Sequence, residues 1–158
     1  TEDYGYDFAW GEVATKSECT ESNSVTHGNQ VDDISGDVQY DVAAANWGGS
    51  WRMPTKDEMI ELVSNCEWEW ILIEKNDYDS VKCYKGIGPN GNSVIFPVAG
   101  CYNGPSLINV GTGGLCWTST PYDVKLNLAY EFYFNDYNAE VSYIGNRFIG
   151  QSVRPVSE

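Results

Sequence analysis

Serine hydrolase chemistry needs a base beside its nucleophile, and this chain carries a single histidine, His27, in a polar stretch with no Gly-x-Ser-x-Gly elbow. His27 therefore reads as a solvated loop residue. Gly111-Thr112-Gly113-Gly114 imitates a phosphate loop only superficially, since neither a Lys-Ser/Thr pair nor a helical pattern follows, so it reads as a turn. The five cysteines, Cys19, Cys66, Cys83, Cys101 and Cys116, contain no Cys-x-x-Cys pair, which removes the usual zinc and redox motifs. Two readings stay open for them. One is a disulfide, with Cys101 and Cys116 as the leading couple because each flanks a Gly-rich, hairpin-like segment; the other is buried free thiols. Among 23 acidic residues, pairs such as Asp32-Asp33 or Glu67 with Glu69 arise by number alone, and nothing else converges on them. No catalytic residue, metal ligand or cofactor is assigned.

What stands out instead is the density of Tyr, Asn, Asp and Ser between Tyr122 and Ile149. Tyr and Asn make adaptable, amphipathic contacts at low entropic cost, which is how recognition surfaces are composed. In the run Ala129 to Asn135, strand alternation predicts Tyr130, Phe132 and Phe134 inward and Glu131, Tyr133 and Asn135 outward.

These residues must be held by a core, and 158 residues, 42% hydrophobic, suffice for a single domain spanning 1–158. A net charge of −14 repels phosphate backbones, so nucleic acid is not an expected partner. No apolar run approaches the roughly 20 residues of a membrane span, so direct membrane insertion is not expected either. The chain begins at Thr1 without a signal-peptide layout, which reads as a mature or trimmed product.

Tyr4, Tyr6, Phe8 and Trp10 recur at period two and predict a strand or ordered loop; 17–36 is polar and predicts a long surface loop. Asp41 followed by an Ala-rich run to Trp47 and then Gly48-Gly49 predicts a two-turn helix. Thr55 and Glu58 form a capping-box pattern after Pro54, and Met59, Leu62, Val63 and Cys66 share one helical face. Pro89-Asn90-Gly91 predicts a hairpin between Tyr84–Ile87 and Val94–Val98. Gly100 to Gly114 predicts an irregular, exposed loop, and Leu115–Ser119, Ala129–Asn135 and Gln151–Val156 predict strands.

Asn46-Trp47-Gly48-Gly49-Ser50-Trp51-Arg52-Met53-Pro54-Thr55 and Gly150-Gln151-Ser152-Val153-Arg154-Pro155-Val156 resemble the Fibrobacter succinogenes major paralogous domain. Phe8-Ala9-Trp10-Gly11-Glu12, Tyr40-Asp41-Val42-Ala43, Asn65-Cys66 with Trp68, Gly88 to Ser93 and Trp117-Thr118-Ser119 follow in that family's order, so the resemblance covers almost the whole chain. It implies an α+β, C-type-lectin-like fold with two short helices, a small antiparallel sheet and long irregular loops. It also implies an exported, cell-surface binding module of the kind found in Bacteroidetes and used as the variable domain of some retroelement-diversified adhesins. Members usually begin with one further strand, which would stand just before Thr1.

In diversified relatives the changeable interval corresponds to Pro121 to Gly150 here. The expected ligand-binding residues are therefore Tyr122, Asp123, Glu131, Tyr133, Asn135, Asp136, Tyr137, Asn138, Glu140, Ser142 and Phe148, on one face, taking a protein or glycan on another cell or surface. Asn135-Asp136 is similar to the calcium motif of sugar-binding C-type lectins, but Phe134 stands in place of its Trp and no Glu-Pro-Asn partner exists. Trp47 and Trp51 are expected in the core, with Trp51→Ala costing about 3–5 kcal/mol. Arg52 and Arg154, both in scaffold motifs, are expected to be largely buried. Formylglycine-generating enzymes share the Arg-Met-Pro-Thr segment and supply an oxidase alternative; their paired cysteines are spaced differently from Cys101 and Cys116. A purely structural surface or fimbrial subunit is the other alternative.

Overall fold

The computed structural model of the protein describes residues 4–76 and 79–157. Two helices and small antiparallel sheets make an α+β fold. The first helix, α1 (Val42–Trp47), starts where the Asp41 carboxylate accepts hydrogen bonds from the Ala43 and Ala44 N–H groups, and stops at Gly48, whose φ of 62° few side chains tolerate. The same carboxylate accepts from Gly36 N at 2.8 Å and Met53 N at 2.7 Å. Fully buried, Asp41 thus ties the preceding loop, the helix and the following strand together.

That strand, β1 (Trp51–Arg52), leads into α2 (Lys56–Asn65). The expected capping box forms, with Thr55 N donating to Glu58 Oε2 at 2.8 Å and Glu58 N to Thr55 Oγ1 at 3.3 Å. Arg52 grips the Glu58 carboxylate through both terminal nitrogens, at 2.8 and 2.6 Å, and holds its pKa down to about 2. Of the predicted helical face, Met59 is buried and Leu62 and Val63 pack at its margin.

Strands β2 (Glu67–Asn76), β3 (Asp79–Ile87) and β4 (Ser93–Pro97) form one meander. The predicted Pro89-Asn90-Gly91 turn joins β3 to β4, with Gly91 at φ 80° and Asn90 Oδ1 accepting from Asn92 N. Where an exposed irregular loop is predicted, β5 (Cys101–Asn103) and β6 (Ser106–Ile108) make a short hairpin instead. Gly100, Gly113 and Gly114 are buried there, because close backbone approaches need glycine: a Cβ on Gly100 would lie 2.0 Å from Ile108 O.

The central sheet is β7 (Gly113–Pro121), β8 (Leu128–Asn135) and β9 (Ala139–Asn146). Alternation splits the core in two. Cys116, Phe132, Phe134 and Val141 meet Met59, Phe96 and Val98 on one side, while Trp117 and Ala129 join Trp10, Ile34, Val42 and Met53 on the other. The register of β7 on β8 shifts between Trp117 and Pro121, and the diverted backbone is paired elsewhere: Thr118 O accepts from Trp10 Nε1 and Ser119 N donates to Pro54 O. The chain ends in β10 (Val156–Ser157), paired with β1.

Several expectations are corrected. Of the two forms expected for the Tyr4–Trp10 segment, an ordered loop is found rather than a strand: Phe8 makes one bridge to Gln151, and Tyr6 is exposed. The 17–36 loop runs over the surface but anchors itself through buried Cys19, Thr26 and Ile34. His27 is not a solvated side chain; it packs 5.5 Å from Phe148 with Nε2 3.2 Å from Glu21. Of the two readings left open for the cysteines, free thiols hold for all five, Cys101 lying opposite Ile108 and Cys116 opposite Phe132. Trp47 and Trp51 are 57% and 43% exposed, because α1 buries its Val42, Ala43 and Ala44 side and β1 pairs only with β10. The large cost expected for Trp51→Ala does not apply to a side chain so exposed. Arg52 is half-buried on Glu58, whereas Arg154 is exposed.

Replacing Asp41 by Ala leaves four backbone N–H groups without their acceptor and is expected to cost about 3–5 kcal/mol in urea unfolding. Asp41→Asn, which keeps one acceptor oxygen, is expected to cost less.

Candidate functional site

The sequence-predicted recognition residues ride on β8, β9 and the turn between them. Asn135 organises that turn: its Oδ1 accepts from Tyr137 N at 2.8 Å and Asn138 N at 2.9 Å, while its Nδ2 donates to the Tyr133 hydroxyl at 2.8 Å. The turn lifts Tyr137 into solvent, 91% exposed. β9 carries one extra residue between the pairs Glu131↔Tyr143 and Tyr133↔Glu140, a bulge that draws Tyr143 toward Tyr133 with ring centroids 4.9 Å apart. Glu140 accepts from Ser142 Oγ at 2.9 Å. Tyr133, Asn135, Tyr137, Asn138, Glu140 and Ser142 thus come together, joined by Tyr143, which the sequence reading missed because a bulge leaves no mark in the alternation pattern.

The other expected residues do not join them. Glu131 is buried, not outward, because the first core covers this part of the sheet; it takes a hydrogen bond from Gln151 Nε2 beside Trp117. Gly145 is required there, since a Cβ would strike Glu131 Oε2 at 2.1 Å and Trp117 at 2.8 Å. Asp136 turns to the β3 side, in an ion pair with Lys82, whose ammonium also lies 4.5 Å from the Trp70 ring centroid. Tyr122 packs edge-on against Tyr130, which carries Lys56 3.8 Å over its ring, and neighbouring Asp123 stays exposed in the same β7–β8 connection. Phe148 follows the end of β9 and meets His27.

Beneath Gly150–Ser152 lies a polar cluster of Asp7, Cys19, Cys101 and Glu131. Burial pushes the Asp7 carboxyl up to about 7 against a hydrogen bond from Ser152, and raises Glu131 in the same way. Burial also raises the thiols, Cys101 to about 11 with Glu131 and Asp7 adding to it, and Cys116, in the second core, to about 12. Low-pKa thiolates are what cysteine chemistry uses, and these shifts run the opposite way. Among the described residues no group of three or more His, Cys, Asp or Glu is placed to hold a metal ion, and no helix is long and apolar enough to cross a membrane.

No family model, curated protein or solved structure matches this chain.

The raised Asp7 has a definite sign. Its folded carboxyl keeps its proton to about pH 7, while the unfolded one releases it near 3.8, so its contribution is full at low pH and is lost as pH rises between these values. Asp7→Asn is expected to match the wild type at pH 4 and to melt on the order of 5 °C higher at pH 8, read by calorimetry.

Proposed function

We propose that the chain is a ligand-binding module of the C-type-lectin-like kind, displayed outside the cell, that engages a protein or glycan through the β8–β9 face and is not an enzyme. The observation that carries this reading is the convergence of Tyr133, Tyr143, Asn135, Glu140 and Ser142 on the exposed end of a sheet whose reverse side is packed by Phe132, Phe134 and Val141. Rigid backing with adaptable amide, hydroxyl and phenol groups in front suits recognition. The face holds no base–nucleophile pair among the described residues, and the shifted carboxylates Asp7 and Glu131 lie outside it, one in contact with Ser152 and the other with Gln151. Display outside the cell and the lectin-like assignment rest on the resemblance of the Asn46–Thr55 and Gly150–Val156 segments.

The test is to screen the protein on glycan and cell-surface protein arrays and to titrate each positive with Tyr133→Ala, Tyr137→Ala and the off-face control Tyr122→Ala. Loss of tenfold or more in affinity, about 1.4 kcal/mol, is expected for the first two with an unchanged melting temperature. Positives that bind all three variants like the wild type overturn the proposal.

A further inference from the structure

Two grooves, of about 850 and 550 Å³, meet at Arg154, and none of Tyr133, Asn135, Tyr137, Glu140 and Tyr143 lines either of them. The larger is lined by Met59, Leu62 and Val94, the smaller by Ile95, Leu115 and Phe134, and both share Phe96, Arg154 and Pro155. The exposed Trp51 stands at the first, and exposed Trp47 and Tyr6 at the second. One wall throughout is β4, whose residues reach both grooves; the other is the chain from Ser152 to Val156.

Both walls carry backbone with bonding capacity. β4 is the outer strand of its meander, paired only with β3. Val98 N donates to Lys82 O, so by antiparallel alternation Phe96 and Val94 also bond toward β3, and Ser93 and Ile95 turn their N–H and C=O outward. Pro97 has no N–H to offer, which limits strand addition to the stretch around Ile95. Opposite, no backbone–backbone bond is made by Val153, Arg154 or Pro155 among the described residues, the Arg154 N–H going instead to the Cys116 thiol, between Ser152, which accepts from Trp117 N, and Val156, which pairs with Arg52. A ligand lying here meets two polar backbone edges and apolar side chains on either hand. An extended peptide satisfies both.

Charge sets the ligand's character further. The Arg154 guanidinium is exposed and has no carboxylate bonded to it among the described residues. The flanking acids are Glu58, occupied by Arg52, and Glu61 on the α2 rim, which disfavours an anion in that groove and leaves the junction as its place. With the protein at −14, a run of acids is repelled while a single carboxylate can pair.

We propose that this cleft binds an extended, largely apolar peptide segment of a partner protein, which adds to the free edge of β4 near Ile95 and sets one carboxylate against Arg154. The test selects a phage-displayed random heptapeptide library on the immobilised wild-type protein, with Arg154→Gln as the counter-selecting surface. Winners are expected to carry one Asp or Glu in a β-branched or aromatic run. Synthetic winners should bind Arg154→Gln at least tenfold more weakly, lose as much when their acid becomes the amide, and bind Tyr133→Ala unchanged. Arg154→Lys should recover part of the affinity, which separates charge from folding. Selection that yields nothing beyond what Arg154→Gln also captures overturns the proposal, as does binding indifferent to Arg154→Gln or abolished by Tyr133→Ala. Tyr133 lines neither groove, so failure here leaves the function proposed for the β8–β9 face untouched.

Discussion

A buried carboxylate with four backbone N–H groups converging on it is a demanding arrangement, and Asp41 is the point from which much of this chain is organised. A carboxylate removed from water is tolerated only when its lone pairs are met by donors. The donors come from three segments, so satisfying Asp41 fixes α1 against both the loop before it and β1 after it. That in turn sets the Met53-Pro54-Thr55 passage. Met53 enters the first core, Pro54 O receives the Ser119 N–H of the central sheet, and Thr55 starts α2. One charge therefore connects the helices to the sheet without contacting the sheet itself.

The sheet beyond it is covered on both sides for most of its length. In such a sheet alternation does not divide core from water; it divides one core from another. This is why Glu131 lies buried beside Trp117 while Tyr133, two residues later on the same side, reaches the surface: the first core ends between them. The recognition chemistry proposed for this chain is confined to the last turn of the sheet, where β8 leaves the shelter of the Trp10 and Trp117 layer.

Local chemistry was legible in the sequence wherever a short-range rule decided the outcome. The Asp41 cap, the Thr55–Glu58 box, the Pro89-Asn90-Gly91 turn and the inward Phe132 and Phe134 all follow from neighbours a few positions away. What was not legible depends on tertiary cover. Trp47 and Trp51 look like core residues by type, yet the elements carrying them are one and a half turns and two residues long, too short to turn every aromatic inward. The motif around Arg154 points to a scaffold role, and only the folded chain shows its guanidinium outside. The candidate face was half legible: its Tyr and Asn content was visible, but the β9 bulge that adds Tyr143 and the cover that removes Glu131 were not.

The glycines of the central sheet carry a consequence for how this surface can change. Gly145 leaves room for Glu131 and Trp117, and Gly114 lies under the Phe134 ring, where a Cβ would come within 2.0 Å of Cζ. Gly145 follows Tyr143 by two residues and Gly114 pairs with Phe134, between Tyr133 and Asn135, but neither can accept even a methyl group without displacing the core. Tyr137, by contrast, meets mostly solvent. Randomising the whole interval from Pro121 to Gly150 would therefore yield mostly misfolded proteins, whereas a library that spares Gly145 and Glu131 and varies Tyr133, Tyr137, Asn138, Glu140, Ser142 and Tyr143 would keep its scaffold while exploring new specificities.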